Sequence, residues 1–290
     1  MSVIGSTGEL LRSSDPGYDD ARRLWNAMLD KRPALIARCR STADVVAAVD
    51  LAQGEGLEVA VRGGGHSVSG LSSTEGGVLI DLRPMNSVLV DPDGRRARVQ
   101  GGALLGELDR ATHVFGLATT GGMVHHTGVG GLTLGGGYGW LARLHGLACD
   151  NVISVELVTA SGEVVRAAED ENADLFWGIR GGGSNFGIVT EFEFRLHPIG
   201  PVLSAQLRYA PGDSAGVVRA YRDTMTSAPQ ELCSLIGLSS GRGAGRLSDE
   251  PGEHDRTSGS RTSAPISMRD GGSRDRSVAR RGRPPSRWRS

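Results

Sequence analysis

Apolar residues recur with helical and strand-like periods through the first 240 positions, and the elements they predict succeed one another with little spacer. Within residues 15 to 38, Ala21, Leu24, Trp25, Met28 and Leu29 fall on one face of a predicted helix, which Pro33 ends. Leu35 and Ile36 begin a short strand. Ser41-Thr42-Ala43-Asp44 then reads as a capping box for a helix that carries Val45, Val46, Val49 and Ala52 and stops at Gly54 or Gly56. Alternation of Leu57, Val59 and Val61 predicts the next strand, on a βαβ-like support.

Further on, residues 78 to 82 and 96 to 102 are strand-like, with a turn signal at Asp91-Pro92-Asp93-Gly94 between them. Leu104, Leu105, Leu108, Ala111 and Phe115 line the inner face of a helix closed by Gly116. A hairpin turns at Ser161-Gly162. Residues 188 to 196 alternate cleanly, with Ile188, Thr190, Phe192, Phe194 and Leu196 opposite Glu191, Glu193 and Arg195. A new unit opens at Val202 with strand, helix and strand candidates at 202–209, 214–228 and 232–238. Beyond Ser239 the pattern stops. From Gly241 to Ser290 the chain is mostly Arg, Gly, Ser, Asp and Pro, too poor in apolar residues to offset its ordering entropy.

Three glycine-dense stretches interrupt this pattern: 57 to 70 around Gly63-Gly64-Gly65-His66, 121 to 139, and 180 to 187. Glycines after a strand let the backbone turn tightly and bring its N–H groups against a ligand, so three such loops point to a large, elongated anionic ligand. None is a standard nucleotide fingerprint. A dinucleotide G-x-G-x-x-G would need glycine at Thr133 or at Val68, and no G-K-S/T occurs.

At 290 residues with a formal net charge of -1, the chain has the size of one large or two ordinary domains and no overall bias toward nucleic acid or anionic membranes. Acidic residues such as Asp249, Glu250 and Glu253 dilute the Arg-rich tail, which argues against nucleic-acid binding. No secretory signal or membrane-spanning run is legible, so a cytoplasmic location is expected. Three scattered cysteines, Cys39, Cys149 and Cys233, make neither a disulfide framework nor a zinc ribbon. The adjacent pair His125-His126 diverges on any regular element and has no third ligand at metal spacing, so no metal is expected.

RGGGHS at 62–67, GVGGLTLGGGYG at 128–139, GLACDN at 146–151 and FWGIRGGGSNFGIVTEFEF at 176–194 together resemble the FAD-linked oxidases of the berberine bridge enzyme-like group, which have the vanillyl-alcohol-oxidase-type flavin fold. The likeness runs from about residue 15 to about residue 238. It implies an α+β chain: an N-terminal segment at 1–30, a PCMH-type FAD-binding domain of two α+β subdomains at 31–201, part of an antiparallel-sheet substrate domain at 202–238, and a disordered tail at 239–290.

The resemblance further implies FAD held by two covalent bonds, from His66 to the flavin 8α-methyl and from Cys149 to flavin C6. Gly63, Gly64, Gly65 and Ser67 would hold the pyrophosphate. Gly128, Gly131, Gly135, Gly136, Gly137 and Tyr138 would line the cofactor channel, and Val189 would lie near the adenine or ribose. Asp150-Asn151 is expected to order the cysteine loop, Trp177 to pack behind the third glycine loop, and Arg180 to hold carbonyls or a phosphate.

The implied reaction moves a hydride from an alcohol, sugar or amine-bearing carbon of a small-molecule substrate to flavin, reoxidised by dioxygen or another acceptor. The family's base and C-terminal motif have no counterpart here, so no catalytic base is named and an inactive flavin-binding fragment is the alternative. The break in pattern near residue 239 is expected to mark a frameshift, with an extended, nearly contact-free tail beyond it. Translating the gene in its other two frames past codon 239 checks this: one frame should give periodic, family-like sequence, and its absence from both would contradict the frameshift.

Overall fold

The computed structural model describes residues 2–183, 185–209 and 211–239, together with the backbone of residues 261–269. Its first sheet runs in the order β1 (Ser2–Ile4), β2 (Gly8–Arg12), β3 (Leu35–Arg38), β5 (Val78–Asp81), β4 (Val59–Arg62). β3 and β4 both pair with β5 in parallel, so α2 (Thr42–Glu55) makes a crossover that lands β4 one strand beyond β5. α2 forms where the sequence places it. The Ser41 hydroxyl accepts from Asp44 N at 3.3 Å while Ser41 N donates to the Asp44 carboxylate at 3.1 Å, and Gly56 closes the helix at φ +64°. Burial alone would raise the Asp44 pKa, but bonds from Arg40, Thr7 and Ser41 bring it down to about 2.

Two expectations fail near the N-terminus. The helix predicted ahead of Pro33 shortens to α1 (Tyr18–Arg22), because the chain turns extended at Arg23; Trp25 and Met28 are exposed instead of sharing a buried face. In β4 the inward residues are Ala60 and Arg62, whereas Val59 is exposed. An arginine can point inward there only because a carboxylate waits for it.

That carboxylate is Asp81, opposite Arg62 in the parallel register and wholly buried. Arg62 Nη2 lies 2.8 Å from it, and the half-exposed Arg83 and Arg38 approach at 2.9 and 3.8 Å.

The second sheet runs β10 (Val164–Ala168), β9 (Val152–Val158), β11 (Ile188–Arg195), β7 (Arg96–Gln100), β6 (Val88–Asp91). β11 alternates as its sequence does: Phe192 and Phe194 enter the core, while Glu191 and Glu193 pair across the strand with Arg98 at 2.7 Å and Arg96 at 3.0 Å. β6 was not legible as a strand, because only Val88, Leu89 and Val90 precede its turn and Leu89 faces solvent. α3 (Leu105–His113) buries Leu105, Leu108 and Thr112, but Phe115 lies past its end and is 50% exposed.

Short elements complete this part: β8 (Leu117–Ala118), α4 (Val129–Leu134), α5 (Ala142–His145), α6 (Ala173–Ile179) and β12 (His197–Pro198). Val158 and Ile188 of the second sheet belong to the core of the first, which joins the two layers.

The third unit comprises β13 (Val202–Tyr209), α7 (Ser214–Ser227), β14 (Cys233–Ser234), β15 (Gly237–Ser239) and β16 (Arg261–Arg269). β16 lies between β13 on one side and β14 and β15 on the other, all antiparallel. A wholly contact-free tail is therefore not what these nine residues form, since the β13 edge finds a partner in them. The expectation for the rest of 239–290 lies outside the described residues. Among the described residues, no helix is long and apolar enough to cross a membrane.

Asp81→Asn should leave the Arg62 guanidinium buried without its counter-charge and cost about 3–5 kcal/mol of unfolding free energy in denaturant melts. Burial would raise the Asp81 pKa, but Arg62 and Arg83 outweigh it and hold the group below its ordinary value. Its contribution is thus complete above the ordinary carboxylate range and is lost as pH falls toward the lower folded value. A variant as stable as the parent at pH 7, with the same acid limb, would contradict this account.

Candidate functional site

β4 delivers the chain into Gly63-Gly64-Gly65, and Gly65, at φ +72°, turns it so that His66 stands at the mouth of the loop. Gly64 and Gly128 meet backbone to backbone: a Cβ on either would collide with the amide nitrogen of the other. The first two glycine stretches are therefore pressed together. The second and third also meet, since Gly181 N and Gly183 N donate to Leu134 O at 3.1 and 2.9 Å. At Gly64 and Gly128 glycine serves chain-to-chain packing, where the sequence alone points to ligand approach.

Other glycines keep an open side. A Cβ on Gly131 would meet nothing within 4 Å, and on Gly135 only backbone at 3.5 Å or beyond, although Gly131 sits in α4 where alanine is the better helix former. Gly136 and Gly137 need their left-handed φ of +101° and +81°, and their carbonyls accept from Cys149 N at 2.9 Å and Ala148 N at 2.8 Å. Two buried polar atoms in the same region have no hydrogen-bond partner among the described residues: Thr133 Oγ1 of α4 and Arg180 Nε of the third stretch.

His66 is half-buried between two aromatic neighbours. Trp25 stacks on it with centroids 5.0 Å apart and planes at 16°, held there by Trp25 N donating to Gly65 O at 3.2 Å. On the other side His66 Nε2 and His126 Nδ1 share a 2.7 Å hydrogen bond. Burial is the first cause that lowers the His66 pKa below its ordinary value, and the nearby His126 lowers it by charge while raising it through a hydrogen bond. A cavity of about 300 Å³ opens beside it, lined by Trp25, Gly64, His66, Gly102, Glu107 and His126 among others.

Cys149 is 4% exposed and does not line that cavity. Burial and the neighbouring Asp150 both raise its thiol pKa, which leaves it protonated. Its loop is ordered as expected: the Asp150 carboxylate accepts from Leu147 N at 2.8 Å, and Asn151 Nδ2 donates to Leu147 O at 2.8 Å and His145 O at 2.9 Å. Ser67 Oγ accepts from Leu71 N at 3.1 Å and so braces its own loop. Tyr138 reaches toward the third unit, with its hydroxyl 3.7 Å from Cys233 Sγ, and Arg143 docks the same unit through Leu232 O at 2.6 Å.

Of three further positions, Trp177 differs from expectation. The Val189 side chain is buried in the core of the second sheet, with its carbonyl against Gly101, so it offers no side-chain surface to an adenine. Trp177 is 77% exposed and does not pack behind the third loop. Arg180 lies over the Phe176 ring at 4.4 Å to the centroid. Sequence reasoning missed Trp25 and His126 as neighbours of His66. Trp25 had been given to a helix face, and His126 is brought in by the Gly64–Gly128 contact, which no local pattern encodes.

The model of an FAD binding domain matches residues 33–168. The chain is 42% identical over 228 residues to (R)-6-hydroxynicotine oxidase of Paenarthrobacter nicotinovorans, covering 78% of this chain and 50% of that protein. Among solved structures it is similar to a Physcomitrella patens BBE-like protein, with TM-score 0.80, 26% identity, and 90% and 54% of the two chains covered. Glucooligosaccharide oxidase from Acremonium strictum, described with a 6-S-cysteinyl, 8α-N1-histidyl FAD, gives TM-score 0.75 at 30% identity and covers 89% and 52%. The chain spans about half the length of the curated relatives it matches.

Gly131→Ala separates the two uses of glycine. It should leave the thermal stability of the flavin-free protein unchanged or raised by about 0.5–1 kcal/mol, while FAD binding, read by flavin fluorescence, is lost. Gly64→Ala should instead prevent folding through the Gly128 collision. A Gly131→Ala protein that binds FAD like the parent would show that nothing approaches that open face.

Proposed function

Because this chain belongs to the FAD-linked oxidases of the berberine bridge enzyme-like group, we propose that it holds FAD across its three convergent glycine stretches, with His66 as the point of covalent attachment. The observation that carries this reading is the half-buried imidazole of His66 at the wall of a cavity rimmed by Gly64. Open faces at Gly131 and Gly135 and unpartnered Thr133 Oγ1 and Arg180 Nε fit a long ligand with polar atoms along it. Gly63, Gly64, Gly65 and Ser67 form the stretch proposed for the pyrophosphate. Gly128, Gly136 and Gly137 shape the channel, and Tyr138 borders the substrate side.

Bound flavin would supply the hydride acceptor for an alcohol, sugar or amine-bearing carbon, with dioxygen or another acceptor reoxidising it. This chain's part is to seat the cofactor, keep the His66 pKa below its ordinary value, and shield that face with Trp25. The small-molecule substrate is set by residues of the third unit, which Tyr138 and Arg143 fix against the flavin domain.

Attachment at both His66 and Cys149 is the second reading, supported by the doubly linked FAD described for glucooligosaccharide oxidase. The enclosed, protonated Cys149 thiol favours a single link, since a thiolate is the form that adds to the ring.

Acid precipitation followed by peptide mapping tests both. Yellow colour should stay in the pellet and map to the His66 peptide, and His66→Ala should release it. Flavin also on Cys149 would establish the double link, and colour wholly in the supernatant of the parent protein would overturn covalent attachment.

A further inference from the structure

His145 of α5 and His197 of β12 lie face to face, with ring centroids 3.7 Å apart and planes at 7°. From this contact we propose that the pair is an acid-released latch: closed at neutral pH, it holds the Cys149 loop and the root of the third unit, and it opens when the pair takes up a second proton.

The argument starts from the side-chain amide of Asn151, a residue only 2% exposed. Its Nδ2 donates to Leu147 O at 2.8 Å and His145 O at 2.9 Å, so Oδ1 is the atom turned to His197. His197 Nε2 therefore carries a proton and donates it to Asn151 Oδ1 at 2.6 Å. One asparagine ties the stack to the loop. That loop in turn leans on the second glycine stretch, since Ala148 N and Cys149 N donate to Gly137 O and Gly136 O at 2.8 and 2.9 Å. On the other side, His197 pairs with Ala118 of β8 and stands shortly before Val202, where β13 begins. α5 also carries Arg143, which donates to Leu232 O at 2.6 Å and Ala228 O at 3.1 Å in the third unit. Parting the rings loosens loop and root together.

One proton is compatible with the stack, because an imidazolium is attracted to the face of a neutral aromatic ring. A second sets two like charges 3.7 Å apart, which the open form relieves. The open pair thus binds more protons than the closed one, and opening gains as pH falls through the ordinary histidine range. The other ionisable groups on the elements that carry or adjoin the pair are Arg143 of α5, Cys149 and Asp150 of the loop, and Arg195 at the end of β11; β8 brings none. Asp150 accepts from Leu147 N at 2.8 Å, Arg195 is exposed, and burial raises the Cys149 pKa. Carboxylates, guanidiniums and buried thiols ordinarily titrate outside the histidine range, so the pair itself carries the pH dependence.

Hydrogen exchange of the full chain, read by mass spectrometry and referenced at each pH to the denatured chain, tests this with or without bound flavin. Between about pH 7.5 and about pH 5, protection of residues 145–151 should fall about 10-fold, as one extra proton on the open pair requires, while α2 keeps its protection. Constant protection of 145–151 would overturn the latch. An equal fall in α2 would overturn it too, by showing that acid opens the chain as a whole. His145→Phe keeps a ring on the stack without its charge, and His197→Gln keeps an amide donor for Asn151 Oδ1; each should hold its protection at the lower pH. A variant of either kind that is folded, judged by α2, and still loses protection of 145–151 as the parent does would contradict the proposal.

Discussion

The site depends on one buried ion pair. Arg62 and Asp81 face each other at the ends of paired parallel strands, 2.8 Å apart and almost wholly removed from water. The residue after Arg62 begins the glycine turn that presents His66. The same guanidinium donates to Arg23 O at 3.1 Å, and Arg83, also on Asp81, donates to Ala21 O at 3.2 Å. These two bonds hold the extended segment leading to Trp25, which then stacks on His66. A charge pair in a low-dielectric interior is costly to break, so it ties the strand end, the N-terminal segment and the aromatic cover of the site together.

Around that anchor, the glycines divide into two kinds. Gly64, Gly128, Gly101 and Gly102 lie where a side chain would strike another part of the backbone, so they knit loops together. Gly131 and Gly135 have no such reason among the described residues, and their open faces are what a cofactor would occupy. Sequence alone gives every glycine in a rich stretch the same meaning. Only the neighbours of the absent Cβ tell packing from binding.

Much of the scaffold was legible because local rules and tertiary demands agree there. The Ser41–Asp44 capping box, the Gly56 stop, the Ser161-Gly162 hairpin and the alternation of β11 all appear where the residues place them. The family motifs carried the cofactor class, which the matched FAD binding domain supports. Failures arose where distant residues override local pattern. Arg62 points inward because Asp81 receives it, reversing the apparent alternation of β4. Trp25 leaves a helical pattern because Gly65 O and the His66 ring hold it elsewhere. His126 is brought to His66 by the contact between the first two glycine stretches, which no local pattern encodes. Val189 sits in an alternating strand with both its neighbours buried, since a register shift beside it interrupts the pleat.

The central claim is that the convergent glycine stretches form one FAD site ending at His66. A crystal structure of the protein grown with FAD tests it most directly. The account predicts continuous electron density between the His66 imidazole and the flavin ring, with the cofactor lying against the open faces of Gly131 and Gly135. Flavin bound away from these glycines, or a His66 ring still packed between Trp25 and His126 with no cofactor beside it, would contradict the account.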